Sequence, residues 1–195
     1  MRTPTLNHGP LIKIQARTAA DICAHYTLPS PAKKLLREGM SPGEFIAALA
    51  ENNKYPDAIT FMARALPVRE AVWWGCLCMQ HACGDNLAVN EREAAVAAVQ
   101  WVMQPNEENR VAAKAPAGAA PPPLVAGALA MAAFQSGGNI ASPNMPPQAP
   151  APFAAAKSVA LAVTLASVKS DPALVGKTQR CYLELGLEIA AGKLI

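Results

Sequence analysis

The chain has 195 residues, of which 52% are hydrophobic and 16% are charged, and its formal net charge is +3. This length suits a single domain. The basic residues are scattered apart from a small cluster at Lys33, Lys34 and Arg37, so nucleic-acid binding is not expected. The sequence shows neither a signal-peptide pattern nor an apolar run of membrane-spanning length, which predicts a cytoplasmic protein with no membrane span. The five cysteines are expected to be reduced thiols.

Several segments carry clear helix-start signals in the first half of the chain. Thr18 is placed to cap a first short helix. Ser41, Pro42 and Glu44 form a capping-box pattern, in which a serine and a glutamate satisfy free backbone N–H groups and a proline opens the helix. Asn90 and Glu93 repeat the capping-box pattern. The helix that follows them has a predicted inward face of Ala94, Ala97, Ala98, Trp101 and Val102.

The stretch REAVWWGCLCMQHAC, at residues 69–83, lies on a helix that is predicted to start at Pro67. Because this helix is apolar on nearly all sides, it is expected to be central and buried, with Gly75 allowing a neighbouring helix to approach closely. Two alanine-rich helices, at residues 124–136 and 153–168, follow later in the chain, and Gly192 is expected to end the last helix.

These elements predict an all-α fold, because no segment alternates apolar and polar residues as a sheet does. The expected architecture is a single domain of about eight to ten short helices packed around the helix at residues 67–83. A solenoid-like stacking of helix pairs remains an open alternative. Residues 1–17 are expected to be an irregular N-terminal segment and residues 18–195 the helical domain. Within that domain, residues 114–123 and 142–152 are predicted to be proline-rich loops.

The proline-rich loops have two interpretations. The simpler one is that they are solvent-exposed connectors. The alternative is that they combine with the two alanine-rich helices to form a face for a partner protein.

Cysteine and histidine are concentrated in the stretch at residues 69–83, which raises the question of a metal or thiol site. The candidate ligands are Cys76, Cys78, His81 and Cys83. On one helix these four side chains do not converge on one ion, whereas zinc sites usually take ligands from turns or from separate elements. The alternative is that cysteine serves there as a small buried apolar residue. A reactive thiol would need exposure near positive charge, and Cys78 or Cys83 would be its candidate.

The beginning of the same helix supplies the candidate partner-binding residues, Arg69, Glu70, Trp73 and Trp74. Arg69 and Glu70 could anchor polar groups of a partner or act as an acid–base pair. The favoured interpretation is an ion pair or cap contact with adjacent helices. Elsewhere the chain shows no combination of nucleophile, base and orienting group, and no phosphate loop, so neither an enzyme nor a cofactor is predicted.

The string ALPVREAVWWGCLC, at residues 65–78, resembles a motif of an uncharacterised bacterial family of small helical proteins. In that motif, Leu-Pro-x-Arg-Glu-Ala-Val-Trp-Trp precedes a small residue and a cysteine. Members of the family are sometimes encoded near type VI secretion genes. The resemblance therefore implies an accessory or interaction role and supplies no catalytic residues.

The leading hypothesis is a non-enzymatic adaptor, chaperone or accessory protein whose partner is a secretion-associated protein. One alternative is an immunity-type inhibitor of a toxin, which the nearly balanced charge of the chain disfavours. Another is a thiol- or metal-dependent sensor or enzyme that uses residues 76–83. Homo-oligomer formation is compatible with each of these hypotheses.

Overall fold

The computed structural model describes residues 6, 9–84, 86–119, 124–142, 144–169 and 171–193, and the described residues form helices and no strand. The all-α prediction is therefore confirmed. The helices are α1 Ala19–Cys23, α2 Ser30–Lys33, α3 Pro42–Glu51, α4 Tyr55–Ala65, α5 Val68–Cys83, α6 Val89–Met103, α7 Glu107–Ala112, α8 Lys114–Ala119, α9 Val125–Phe134, α10 Ala154–Ser167 and α11 Val175–Ala190, with a 3₁₀ turn at Pro172–Leu174. No described helix combines the length and the apolar character needed to cross a membrane.

The chain divides into two compact units. The first unit comprises Met1–Pro67 and Asp171–Ile195, and the second comprises Val68–Ser170. The first unit contains α1 to α4, the 3₁₀ turn and α11, and the second contains α5 to α10.

Two of the predicted helix starts in the first unit have the expected hydrogen bonds. The Thr18 hydroxyl accepts from the Asp21 N–H at 3.2 Å, and the Asp21 carboxylate accepts from the Thr18 N–H at 3.0 Å. The Ser41 hydroxyl accepts from the Glu44 N–H at 3.3 Å, and the Glu44 carboxylate accepts from the Ser41 N–H at 2.8 Å. Local sequence therefore sets where α1 and α3 begin, because each capping box satisfies N–H groups that have no partner within the helix.

The first unit is built around α4, which packs against α1, α3 and α11. Phe45 of α3 and Phe61 of α4 are fully buried and meet edge to face, with ring centroids 5.0 Å apart. Such aromatic pairs add about 0.5–1.5 kcal/mol to the stabilisation from area burial alone. Tyr182, Leu183 and Ile189 of α11 are also fully buried.

The N-terminal segment is irregular where it is described, but it is joined to the last helix. The Lys13 N–H donates to the Ala190 carbonyl at 2.9 Å, which satisfies a free carbonyl at the end of α11. Gly192 follows with φ +76°, and the Ile12 side chain comes within 2.9 Å of the position that a Cβ of Gly192 would take. Gly192 therefore ends the helix as predicted, and residues 9–17 belong to the first unit.

The second unit is built around α9, which packs against α5, α6, α7, α8 and α10. Every residue of α9 except Met131 is buried, and five of the ten residues are alanine. Helix α5 also lies inside this unit and packs against α6, α9 and α10. Gly75 lies where α5 meets α9, and a Cβ at this position would collide with the Leu129 side chain. The predicted close approach of a neighbouring helix at Gly75 is thus confirmed.

The proline-rich segment at residues 114–123 is not a loop throughout, which corrects its predicted extent. Lys114–Ala119 form α8, and residues 120–123, with their three prolines, lie outside the described residues. Pro116 is tolerated because it is the third residue of this helix, where a backbone N–H has no intrahelical acceptor to lose. The second segment is non-helical at residues 142 and 144–152, and its Gln148 carbonyl accepts from the Ile140 N–H at 2.8 Å.

Arg110 of α7 ties together several parts of the second unit, although its side chain is only 4% exposed. Its Nε and Nη2 atoms donate to the two carboxylate oxygens of Glu107 at 2.6 and 2.7 Å. Its Nη1 donates to the Phe134 carbonyl at 2.6 Å, and Nη2 also donates to the Asn139 carbonyl at 3.0 Å. One guanidinium thus caps the C-terminal end of α9 and holds the loop that follows it.

Candidate functional site

Arg69, the first of the predicted partner-binding residues, makes its contact inside the second unit. Its Nε donates to the Val102 carbonyl at 2.7 Å. Val102 lies in the last turn of α6, where carbonyl groups have no N–H partner within the helix. The favoured interpretation of Arg69 as a cap contact with an adjacent helix therefore matches this geometry.

Trp74 is fully buried and presents no surface to a partner, which corrects its assignment to a partner-binding site. The sequence does not show which of the two tryptophans is buried, because both lie in an apolar stretch. On a helix, adjacent residues point about 100° apart, so only one of them can face the core directly. Trp73 and Glu70 are half-buried, and both take part in interactions within the chain.

The cysteines of α5 lie mostly in the interior. Cys76 and Cys78 are buried, Cys83 is half-buried and His81 is exposed. Burial raises the pKa of the Cys76 thiol to about 12, which keeps it protonated at neutral pH. Among the residues that the structure describes, no group of three or more His, Cys, Asp or Glu side chains could hold a metal ion. The arrangement corresponds to the interpretation of Cys76 and Cys78 as small apolar core residues.

Helix α6, which Arg69 caps, has an inward face that agrees with the prediction. Ala94, Ala97, Ala98, Trp101 and Val102 are all buried. Its start differs from the prediction, because the helix begins at Val89 and so includes Asn90. The capping carboxylate belongs to Glu91 and not to the predicted Glu93. It accepts a hydrogen bond from the Ala88 N–H at 3.5 Å. Glu91 is buried and also lies 3.5 Å from the Lys169 ammonium, so a tertiary ion pair helps to place this carboxylate.

The opposite side of α6 is an exposed face with three large apolar side chains, Val89, Val96 and Met103, which are 77%, 54% and 67% exposed. Their spacing of seven residues places them on one line along the helix. Arg92, Glu93 and Gln100 are exposed between them. We call these six residues the α6 outer face. The seven-residue spacing is visible in the sequence, but it points to an interaction surface only once the inward face is known to be buried.

One of the two alanine-rich helices, α9, is not available for the partner face that was one interpretation of the sequence. Helix α9 is buried within the second unit, and α10 buries Ala155, Ala156, Val159, Ala160, Ala162, Val163 and Ala166. Much of the alanine therefore lies in a closely packed core, where small side chains let helices approach one another. The alanine-rich core explains the low charged fraction of the chain, so that fraction does not by itself indicate a surface covered by a partner protein.

Replacing Arg69 by alanine is expected to destabilise the protein by about 1–2 kcal/mol, because the Val102 carbonyl loses a charge-assisted hydrogen bond. The free energy of unfolding in urea, followed by circular dichroism, measures the change. Arg37→Ala is the matched control, since Arg37 is an exposed arginine with no side-chain hydrogen bond to a described residue. An Arg69→Ala protein no less stable than the control would contradict the capping role.

The comparisons with known proteins give a family and no function. The model of a family of unknown function, DUF6931, matches residues 45–190, about three quarters of the chain. No curated protein and no solved structure matches the chain. The expectation of an uncharacterised family is thereby confirmed, whereas its motif and its link to type VI secretion stay predictions. Because the match covers about three quarters of the chain, the chain belongs to DUF6931, a family of unknown function.

Proposed function

We propose that this protein is a non-enzymatic adaptor or chaperone that binds a partner protein through the α6 outer face. The observation that carries the proposal is the line of Val89, Val96 and Met103 on a helix whose other side is packed into the second unit. Apolar residues at seven-residue spacing occupy one of the two positions of the heptad by which one helix packs along another. Single exposed apolar residues are common, but these three recur about every 10 Å along one line of the helix, with the polar residues of the α6 outer face between them.

The proposed partner is a cytoplasmic component of a type VI secretion system. The resemblance of residues 65–78 to the Leu-Pro-x-Arg-Glu-Ala-Val-Trp-Trp motif supports this part of the proposal. In this view, the motif does not contact the partner directly. Arg69 instead caps α6 and helps to hold in place the helix that carries the docking residues.

Val96→Glu is expected to weaken partner capture by at least about tenfold, because it buries a carboxylate in the middle of an apolar contact. The measurement is affinity purification of the tagged protein from its native cells, with the recovered proteins quantified by mass spectrometry. Val168→Glu is the matched control, because Val168 is 53% exposed against 54% for Val96 and lies outside α6.

Stoichiometric capture of a secretion component that Val96→Glu loses and Val168→Glu retains would support the proposal. Equal capture by both variants would show that the α6 outer face is not the docking site. Capture of a toxin would favour the immunity-type alternative. Light scattering of the purified protein adds a second test, since self-association that Val96→Glu abolishes would identify a second copy of the chain as the occupant.

A further inference from the structure

The first unit contains a cavity of about 390 Å³ between α1 and α2. This volume lies at the lower end of the range for small-molecule sites, about 300–1,000 Å³. Ala20, Ala24, Leu28 and Leu36 supply apolar parts of its wall. The cavity residues, 20–36, precede the segment that the family model matches, so the cavity is a feature of this chain outside the matched region.

Two lining residues bring polar groups that have no partner within the described chain. Lys33 lines the cavity and is exposed, and no described residue forms an ion pair with its ammonium group. Thr27 also lines the cavity, and no described residue is hydrogen-bonded to its hydroxyl. Both groups are therefore available to a ligand, one as a cation and one as a hydrogen-bond donor.

Tyr26 lines the cavity beside these groups, and a second cation, Arg64, stacks on its ring. The Arg64 guanidinium lies 4.3 Å from the centre of the Tyr26 ring, and the ring lines the cavity. Arg64 donates to the Thr60 carbonyl at 2.9 Å, but its buried Nε has no hydrogen-bond partner and no described carboxylate pairs with it. The Tyr26 hydroxyl is likewise buried, and the Cys23 thiol lies beside it.

The other titratable groups of this wall do not cancel the positive charge. Burial raises the pKa of the Cys23 thiol, and burial together with the nearby thiol raises the pKa of Tyr26 well above its usual range. Both groups are therefore neutral at neutral pH and neither is a nucleophile. Asp57 raises the pKa of Tyr26 and Arg64 lowers it, so these two charges oppose each other at the Tyr26 ring. Lys33 lies at the cavity without an ion-pair partner among the described residues. The balance favours an anion.

We propose that this cavity binds a small amphipathic carboxylate, a medium-chain fatty acid, with its tail against the apolar wall and its carboxylate at Lys33 and Thr27. The tail replaces water at the alanine and leucine side chains, which supplies most of the affinity. The carboxylate pairs with a cation that lacks a protein partner, which supplies the preference for an acid over a neutral or cationic head group. All lining residues of the cavity belong to the first unit, whereas the α6 outer face belongs to the second.

The test is isothermal titration of the full-length protein with decanoate, decanol and decylamine, each below its aggregation concentration. Decanoate is expected to bind, with decanol several-fold weaker and decylamine weakest. Lys33→Met should weaken decanoate binding about threefold to tenfold and leave decanol binding unchanged. Lys34→Met is the matched control, because Lys34 is an exposed neighbour that does not line the cavity, and it should bind decanoate like the wild type.

Ala20→Trp tests the location of the site, because Ala20 is exposed at the cavity wall and a tryptophan there would fill the space. It should abolish decanoate binding while circular dichroism shows an unchanged helix content. Equal binding of decanoate and decylamine, no binding of decanoate, or an equal loss in the Lys33 and Lys34 variants would each overturn the proposal. The two lysine variants still distinguish these outcomes if Ala20→Trp fails to fold.

Discussion

Replacement of Trp74 by alanine is expected to destabilise the protein by about 3–5 kcal/mol. Trp74 is 0% exposed, so its removal leaves a cavity lined by groups that were packed against the indole. The free energy of unfolding of natural domains is only about 5–15 kcal/mol, so this change removes a large part of it. The free energy of unfolding in urea, followed by circular dichroism at about 222 nm where helices absorb, measures it without relying on tryptophan fluorescence.

Trp73→Ala is the matched control for this experiment. Trp73 is the adjacent tryptophan on the same helix and is half-buried, so its replacement should cost roughly half as much or less. A Trp74→Ala protein within about 1 kcal/mol of the wild type would contradict the burial of this side chain. The result also decides how partner experiments are designed, because a variant that partly unfolds loses its partner whether or not Trp74 lies near the interface.

Replacement of Arg110 by alanine is expected to destabilise the protein by about 2–4 kcal/mol. The change removes four hydrogen bonds of a buried guanidinium, and it leaves the Phe134 and Asn139 carbonyls without their donor. It also removes a cation that lies 5.2 Å from the centre of the Phe134 ring. Urea unfolding measures the loss, and hydrogen exchange should show early opening of residues 134–139.

Arg110→Lys separates the charge from the shape of the guanidinium. Lysine keeps the charge but cannot donate to Glu107 and to two carbonyls in one fixed geometry, so it should recover less than half of the lost stability. A lysine variant as stable as the wild type would show that the hydrogen-bond geometry of Arg110 is unimportant.

The same contact predicts a pH dependence. The hydrogen bond from Arg110 lowers the pKa of Glu107 below its usual value. A carboxyl group whose pKa is lowered on folding stabilises the protein above its unfolded-state pKa, about 4.3 for glutamate, and loses that contribution as the pH falls through the lower folded value. The stability of Arg110→Ala should therefore depend less on pH between about 5 and 3 than that of the wild type. Equal slopes would contradict the pairing in the folded protein.

Some of these features could be predicted from the sequence because they depend on neighbours along the chain. The capping boxes at Thr18 and Ser41, the helix end at Gly192 and the inward face of α6 all follow from residue spacing within a few turns. Arg110 illustrates the opposite case. In the sequence it is an ordinary polar residue of a short helix, and its contacts at Phe134 and Asn139 lie 24 and 29 residues away.

The sequence by itself determined that the chain is helical, where several of its helices begin and end, and that α5 is apolar on nearly all sides. These properties are local, because capping and amphipathic spacing act within one helix. The tertiary structure alone decided that Trp74 is buried while Trp73 is half-buried, that Arg69 caps α6, and which apolar side chains of α6 stay exposed. Alanine and valine serve equally well inside and outside a helical protein, so only the packing of neighbouring helices assigns each of them to the core or to a surface.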